Sequence, residues 1–467
     1  MKRRAIFILA AALCAVFALP AQAAPAQLDQ AQARHLLLRT GFAPTEHQVR
    51  QLQGQGAAQA VDALIAQARA ARPLHLPPQF APVDALPASA EERMAYRQQQ
   101  LRESQEIKGW WMREMAETPA PLAERMVLFW HGHFATSQRK VVRAQAMWNQ
   151  QQVLRQYALG NFRGLLHAAA KDPAMLAYLD GANSRKQAPN ENFAREVMEL
   201  FTLGEASRAS EGLGGYSEQD IREAARAFTG WSIERQDFAY RFRPAFHDTG
   251  VKTVFGRSGN YDGDAVLDLL LEQPAAARFL TAKLWKEFVS PTPDAREVER
   301  IAAAWRAGGW DIGAVLRELL LSDAFWAPDA PGTLVKSPVE LVVGAVRQFG
   351  VPVADPLPLV AKSAQLGQNL LVPPNVKGWP GYTDWIDAAR LLERKRFAQQ
   401  LLRYPGFDDT AFLASVGAHA DREPDAAAQA RLTHALLPLP PVQTVAAGTV
   451  GSSWVRALLQ DAAYQLK

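Results

Sequence analysis

Cysteine is nearly absent from this chain: 467 residues contain one. A lone thiol closes no disulfide framework and builds no Cys-rich zinc module. Long apolar runs are also missing. The longest, Ala5 to Leu19, falls short of the roughly 18 apolar residues that a membrane-spanning helix needs. No charge of one sign prevails, with 51 Lys and Arg against 47 Asp and Glu. Several catalytic signatures are lacking too: no Gly-x-Ser-x-Gly elbow, no phosphate loop, no His-Glu-x-x-His, and no Gly-x-Gly-x-x-Gly after a strand. Standard serine hydrolases, nucleotide enzymes and zinc proteases lose support. What is present is ordinary globular composition, 48% apolar and 21% charged, which excludes a disordered chain.

The amino terminus changes the meaning of the totals. Lys2, Arg3 and Arg4 precede the apolar run, and Ala21-Gln22-Ala23 supplies a small-x-small cleavage pattern, so residues 1–23 read as a signal peptide. Arg3-Arg4 alone is a weak twin-arginine signal, and Leu13 before Cys14 is the wrong residue for lipidation. Cleavage removes three basic residues and the cysteine, and leaves 48 basic against 47 acidic groups. The formal charge of +4 and isoelectric point near 9.1 then describe the leader more than the body. A near-neutral body has no footprint for a phosphate backbone, so nucleic acid is dropped as a partner. The expected location is periplasmic or secreted, with no transmembrane anchor after cleavage.

Residues 24–467 read as a single large multi-helix α domain with a small β-hairpin insertion. Apolar residues recur at three- and four-residue spacing in many windows, including 90–117, 121–135, 140–159 and 295–307. The hairpin is expected between Trp231 and Gly256, where Phe238, Tyr240 and Phe242 alternate with polar neighbours and Lys252 to Phe255 forms a second β-prone run. Pro-rich excursions interrupt the body at 72–88 and 436–441.

Five polar stretches exceed what core packing requires. In Phe129-Trp-His-Gly-His-Phe134 the helix is apolar nearly all round, so buried His131 and His133 need partners. On a helix these two rings point about 200° apart, which weakens joint metal binding unless the helix ends near His131. Pro189-Asn-Glu-Asn-Phe-Ala-Arg-Glu196 and the following residues place Arg195, Glu196 and Glu199 on one helix face. Two carboxylates about 5–6 Å apart need a cation, a shared proton or neutralising arginines. Arg222 and Arg226, one turn apart, either bridge to those carboxylates or clamp an anion. His247-Asp248, followed by Gly250 and Lys252, suits a ligand or a proton shuttle, or only a loop. Finally, Pro373-Pro-Asn-Val-Lys-Gly-Trp-Pro380 with Tyr382 and Trp385 is either a sugar-stacking surface or a loop pinned by its own aromatics.

Taken with Arg34-His-Leu-Leu-Leu-Arg-Thr-Gly-Phe-Ala-Pro-Thr45, Ala224-Ala-Arg-Ala-Phe-Thr-Gly-Trp231 and Val335-Lys-Ser-Pro-Val-Glu340, these stretches make the chain resemble the bacterial domain-of-unknown-function 1800 family. Departures are Gly132, where Asn is usual, and an extra Glu211-Gly-Leu-Gly-Gly215 linker. The resemblance implies an exported protein and carries no established activity. It also implies a partner of the domain-of-unknown-function 1501 family, whose members are similar to sulfatases.

The expectation is one polar cleft. Its catalytic candidates are Glu196, Glu199, His131 and His247. Asn190, Arg226, Lys252, Asn375, Trp379 and Trp385 would bind substrate, and His133, Glu191 and Asp248 would hold a divalent cation. The corresponding function is a cation-assisted hydrolase of an envelope or extracellular polymer, such as a polysaccharide. The alternative is a non-catalytic module that binds a polymer or a partner protein, its buried charges forming a self-satisfied Glu–Arg–His network.

Overall fold

Capping explains where many of the helices begin. Asp29, Thr45, Ser89, Ser217 and Ser337 each accept from the backbone of the third helical residue, whose side chain returns the bond. Each such box contributes on the order of 1 kcal/mol. The structure, a computed structural model, describes residues 24–81, 88–205, 215–234, 236–404 and 406–467. The expected leader, residues 82–87 of the first Pro-rich stretch and residues 211–214 of the linker lie outside these.

The described residues are mostly helical, with two small antiparallel ribbons, as the apolar spacing predicts. Helices Ala90–Glu117 and Ala295–Ala307 fall on the predicted bounds. The segment predicted as one helix over 140–159 is broken at Val142 into Gln138–Val141 and Ala144–Tyr157. Helix Ala388–Leu401 escapes prediction because Arg, Glu, Lys and Gln dominate it and only Arg394, Phe397, Ala398 and Leu401 are buried.

The β region corrects the expected single hairpin. Trp231–Ile233 pairs with Tyr240–Phe242, and Lys252–Val254 pairs with Arg257–Gly259, so the two β-prone runs belong to different ribbons. Phe255 and Gly256, with φ of 52° and 72°, form the two-residue turn of the second ribbon. Positive φ at both central positions matches the strand twist, which lets a short run fold back on its own neighbour.

Helix Pro121–His133 runs through the core and is buried on nearly every side. Its two charged residues are therefore paired. Glu124 accepts from the Trp111 indole at 2.9 Å and from Arg155 at 2.8 Å. Arg125 bonds Glu340 at 2.7 Å and also Glu287. Lys467, itself buried, bonds the same Glu340 oxygen, Oε1. The chain around Lys467 is held by backbone pairing, with Lys467 N–H donating to Leu334 and Lys336 N–H to Gln465 at 2.8 Å each. The first Pro-rich stretch lies along helix Ala90–Glu117, where Glu114 accepts from the amides of Leu74 and His75 and Glu103 from that of Ala81.

Burial alone would raise the Glu340 pKa, but Arg125 and Lys467 hold it below the ordinary glutamate range. The stabilisation is therefore complete above the usual glutamate pKa and is lost as pH falls through the lowered one. Glu340→Ala leaves buried Lys467 without its close carboxylate and Arg125 with Glu287 alone, and urea unfolding should show a loss of about 3–5 kcal/mol. A loss under about 1 kcal/mol, the worth of a surface pair, would contradict this role.

Candidate functional site

The predicted helix ends at His133, so both histidines sit in its last turn. His131 Nε2 accepts the Leu371 amide at 3.2 Å, and its ring lies between Trp111 and Trp379, with centroids 5.3 and 5.2 Å away. His133 points elsewhere. Its Nε2 is 3.2 Å from the Phe201 carbonyl and its Nδ1 is 2.9 Å from Lys283 Nζ. These partners fix the tautomer: Nε2–H donates to the carbonyl and Nδ1 accepts from the lysine. Burial pushes the His131 pKa down to about 3. Burial, with Lys283 adding repulsion, holds His133 well below its ordinary value. Both rings are neutral.

The Phe201 carbonyl is available because the chain makes a π-turn at Glu199–Leu203, directly after helix Glu191–Met198. Such a turn takes carbonyls off the regular ladder. Thr202 Oγ1 covers those of Val197 and Met198, at 2.8 and 3.2 Å, and His133 takes that of Phe201. On the other side, Gly378 packs against the Gly132 carbonyl. A Cβ there would lie 2.2 Å from that oxygen, and φ is +87°, so only glycine fits.

Between these contacts lies a cavity of about 490 Å³, lined by His133, Lys283, Lys286, Lys377, Trp379 and Trp385 among others. Its wall carries five cationic side chains, Arg125, Lys283, Lys286, Lys377 and Lys467, against the carboxylates of Glu287, Glu340 and Asp384. Arg125 and Lys467 are spent on Glu340, and Lys377 pairs with Glu205. Lys283 differs. Its polar partner is the neutral His133, it lies 5.2 Å over the Phe279 ring, and no carboxylate bonds it among the described residues. Burial lowers its pKa to about 8, with Lys286 adding to the effect. The Trp379 Nε1–H in the same wall is buried with no partner among the described residues.

The remaining candidates do not share this cavity. Glu196 and Glu199 stand on the π-turn helix, where Arg195 reaches Glu199 at 3.5 Å and Glu218 at 2.9 and 2.7 Å. Burial raises the Glu196 pKa and Glu199 raises it further, while Lys377 opposes them. Asn190 caps that helix and bonds the Leu179 carbonyl, and Glu191 is exposed beside it. Arg226 clamps Asp248 at 2.7 and 3.2 Å and also bonds Glu223 and the Val251 carbonyl. Lys252 is buried and closes the same loop onto the carbonyls of Asp248 and Gly250, at 2.5 and 3.0 Å. His247 bonds the Thr229 carbonyl at 2.9 Å. Asn375 accepts from the Lys377 amide at 2.9 Å and shapes the turn before Trp379.

Of the candidates expected in one cleft, His133, Trp379 and Trp385 line this cavity, and the others have the partners and exposure given above. Among the described residues no three His, Cys, Asp or Glu side chains stand together as a metal shell. His133, Glu191 and Asp248 in particular are engaged or exposed in different places. Lys283 escaped sequence reasoning. It shares a helix face with Phe279, Lys286 and Glu287, and the only hint was a lysine one turn after a large aromatic.

A family model described as "Protein of unknown function (DUF1800)" matches residues 35–466. The chain belongs to the DUF1800 family. No curated protein and no solved structure matches it. In this DUF1800 protein the motifs quoted from the sequence meet at one point: the His-x-His turn, the π-turn helix and the Pro-Asn-Val-Lys-Gly-Trp loop are joined through His131, His133 and Gly378.

Histidines of this kind cost stability in acid. The unfolded chain takes protons below about pH 6.5 and the folded one does not, so each further pH unit removes up to about 1.4 kcal/mol per ring. Imidazole nitrogen NMR should show both rings neutral at pH 5 with the tautomer given above for His133. Titration of either ring near 6.5 would refute the buried, neutral assignment.

Proposed function

We propose that the protein is a non-catalytic binding module of the cell envelope, and that its cavity takes an acidic sugar of an envelope or extracellular polysaccharide. The observation that carries this reading is Lys283, a cavity-lining lysine that no carboxylate bonds among the described residues. A cation withdrawn from water without an anion is costly, and a ligand carboxylate or sulfate beside it removes that cost. Trp379, with Trp385 in the same lining, supplies an aromatic wall and an N–H unmet among the described residues, which suits a sugar ring. Export through residues 1–23 and a partner of the domain-of-unknown-function 1501 family are part of the same proposal. Consistent with it, no described helix is long and apolar enough to cross a membrane.

A hydrolytic reading has one observation in its favour, the raised pKa of Glu196, which suits a proton donor. Against it, Glu196 and Glu199 lie outside the cavity lining, and Arg195 engages Glu199. A divalent cation is also poorly placed in a wall where cationic side chains outnumber carboxylates.

Calorimetry with acidic and neutral oligosaccharides tests the proposal. Acidic chains should bind preferentially, and Lys283→Met, which keeps the packing of the stem, should weaken binding about tenfold or more. Lys283→Arg should keep part of the affinity. Because the protonated amine is the binding form, affinity should hold below the lysine's pKa of about 8 and fall above it. Equal binding of neutral chains, or an unaffected Lys283→Met, would sink the proposal. Shortened products that vanish with Glu196→Gln would instead establish hydrolysis.

A further inference from the structure

A second cavity, of about 680 Å³, is lined by Tyr96, Val142, Arg143, Arg185, Phe238, Arg243 and neighbouring residues. None of these residues lines the first cavity. We propose that it is a separate site for a small ligand carrying a tetrahedral oxyanion, a phosphate or sulfate ester, on an aromatic or sugar body.

Charge is the first reason. Three arginines line the cavity against one acidic residue, Glu234. Glu234 meets Arg243 at 3.4 Å, and Arg243 also reaches Ser232 Oγ at 3.3 Å. Among the described residues the guanidinium groups of Arg143 and Arg185 have no carboxylate or carbonyl partner. Each instead lies over an aromatic ring, Arg143 over Phe238 at 5.3 Å and Arg185 over Phe246 at 4.1 Å. Stacking fixes the plane of a guanidinium and leaves its N–H fork free, the arrangement that binds oxyanions in bidentate fashion. The excess of two positive charges matches a phosphate monoester dianion.

Backbone strain is the second and independent reason. Val142 has φ 64° and ψ −52°, and the Arg143 amide bonds the Val141 carbonyl at 2.8 Å. This is the rare, strained form of the γ-turn, at a β-branched residue for which positive φ is a true outlier. The turn breaks the helix expected over 140–159 and sets Val142 and Arg143 in the cavity wall. Strain of this kind persists where the surroundings over-determine it, and it concentrates at ligand sites.

Phenyl phosphate, phenyl sulfate and phenol are the probes, titrated into the full chain and followed by calorimetry. Phenyl phosphate should bind saturably and phenol should not. Arg143→Gln and Arg185→Gln should each weaken binding about tenfold, with the far-ultraviolet spectrum and melting temperature unchanged. Phe246→Leu, which removes the ring beneath Arg185 without touching a charge, should weaken it less. Tighter binding of phenyl phosphate than of phenyl sulfate assigns the site to a phosphate ester, and tighter binding of phenyl sulfate assigns it to a sulfate ester. Lys283→Met should leave the affinity unchanged, which separates this site from the first cavity. Absence of saturable binding, or binding indifferent to both arginine substitutions, would overturn the proposal.

Discussion

Two neutral histidines in one helical turn join three separate segments of this protein. His131 and His133 leave the end of helix Pro121–His133 on opposite sides, and each takes a bond that the chain elsewhere cannot satisfy locally. One accepts an amide of the loop that carries Trp379. The other donates to a carbonyl released by the π-turn and accepts from Lys283. In a core this apolar, protonation of either ring would bury a charge, so burial keeps them neutral and neutrality keeps their bonds. The cavity is the space left between the parts so joined.

The charges of the molecule divide into two kinds. Glu340, Arg125, Glu287 and Lys467 satisfy one another, as do Arg226, Asp248 and Lys252 with their surrounding carbonyls. These networks specify how segments far apart in sequence meet, and nothing is left over for a ligand. Lys283, Arg143 and Arg185 are the other kind. They line cavities and lie over aromatic rings, with no acidic partner among the described residues. The distinction matters more than the number of polar residues in a motif, because the richest motif, Asn190 to Glu199, turns out to be an anchored helix face whose Arg195 answers Glu199 and Glu218.

Much of the fold was legible in the sequence, and little of the site. Helix positions followed from periodicity and from caps such as Ser89 and Ser217, both local signals. The 200° divergence of His131 and His133 was also local, and it correctly separated their partners. The β region was misassembled because alternation marks a strand without naming its neighbour, and the Phe255-Gly256 turn decided the pairing. Lys283 was missed for a related reason. Its significance depends on His133, 150 residues away, and on the lack of a carboxylate partner among the described residues. Helix Ala388–Leu401 shows the remaining limit, since a helix with few buried positions leaves little apolar pattern to read.

The central claim is that Lys283 is the anion-binding group of the first cavity. A crystal structure of the protein soaked with a uronic-acid disaccharide tests it most directly. The account predicts the carboxylate within hydrogen-bonding distance of Lys283 Nζ, with the sugar ring against Trp379. A disaccharide bound with its acid group directed away from Lys283, or bound outside this cavity, would contradict it.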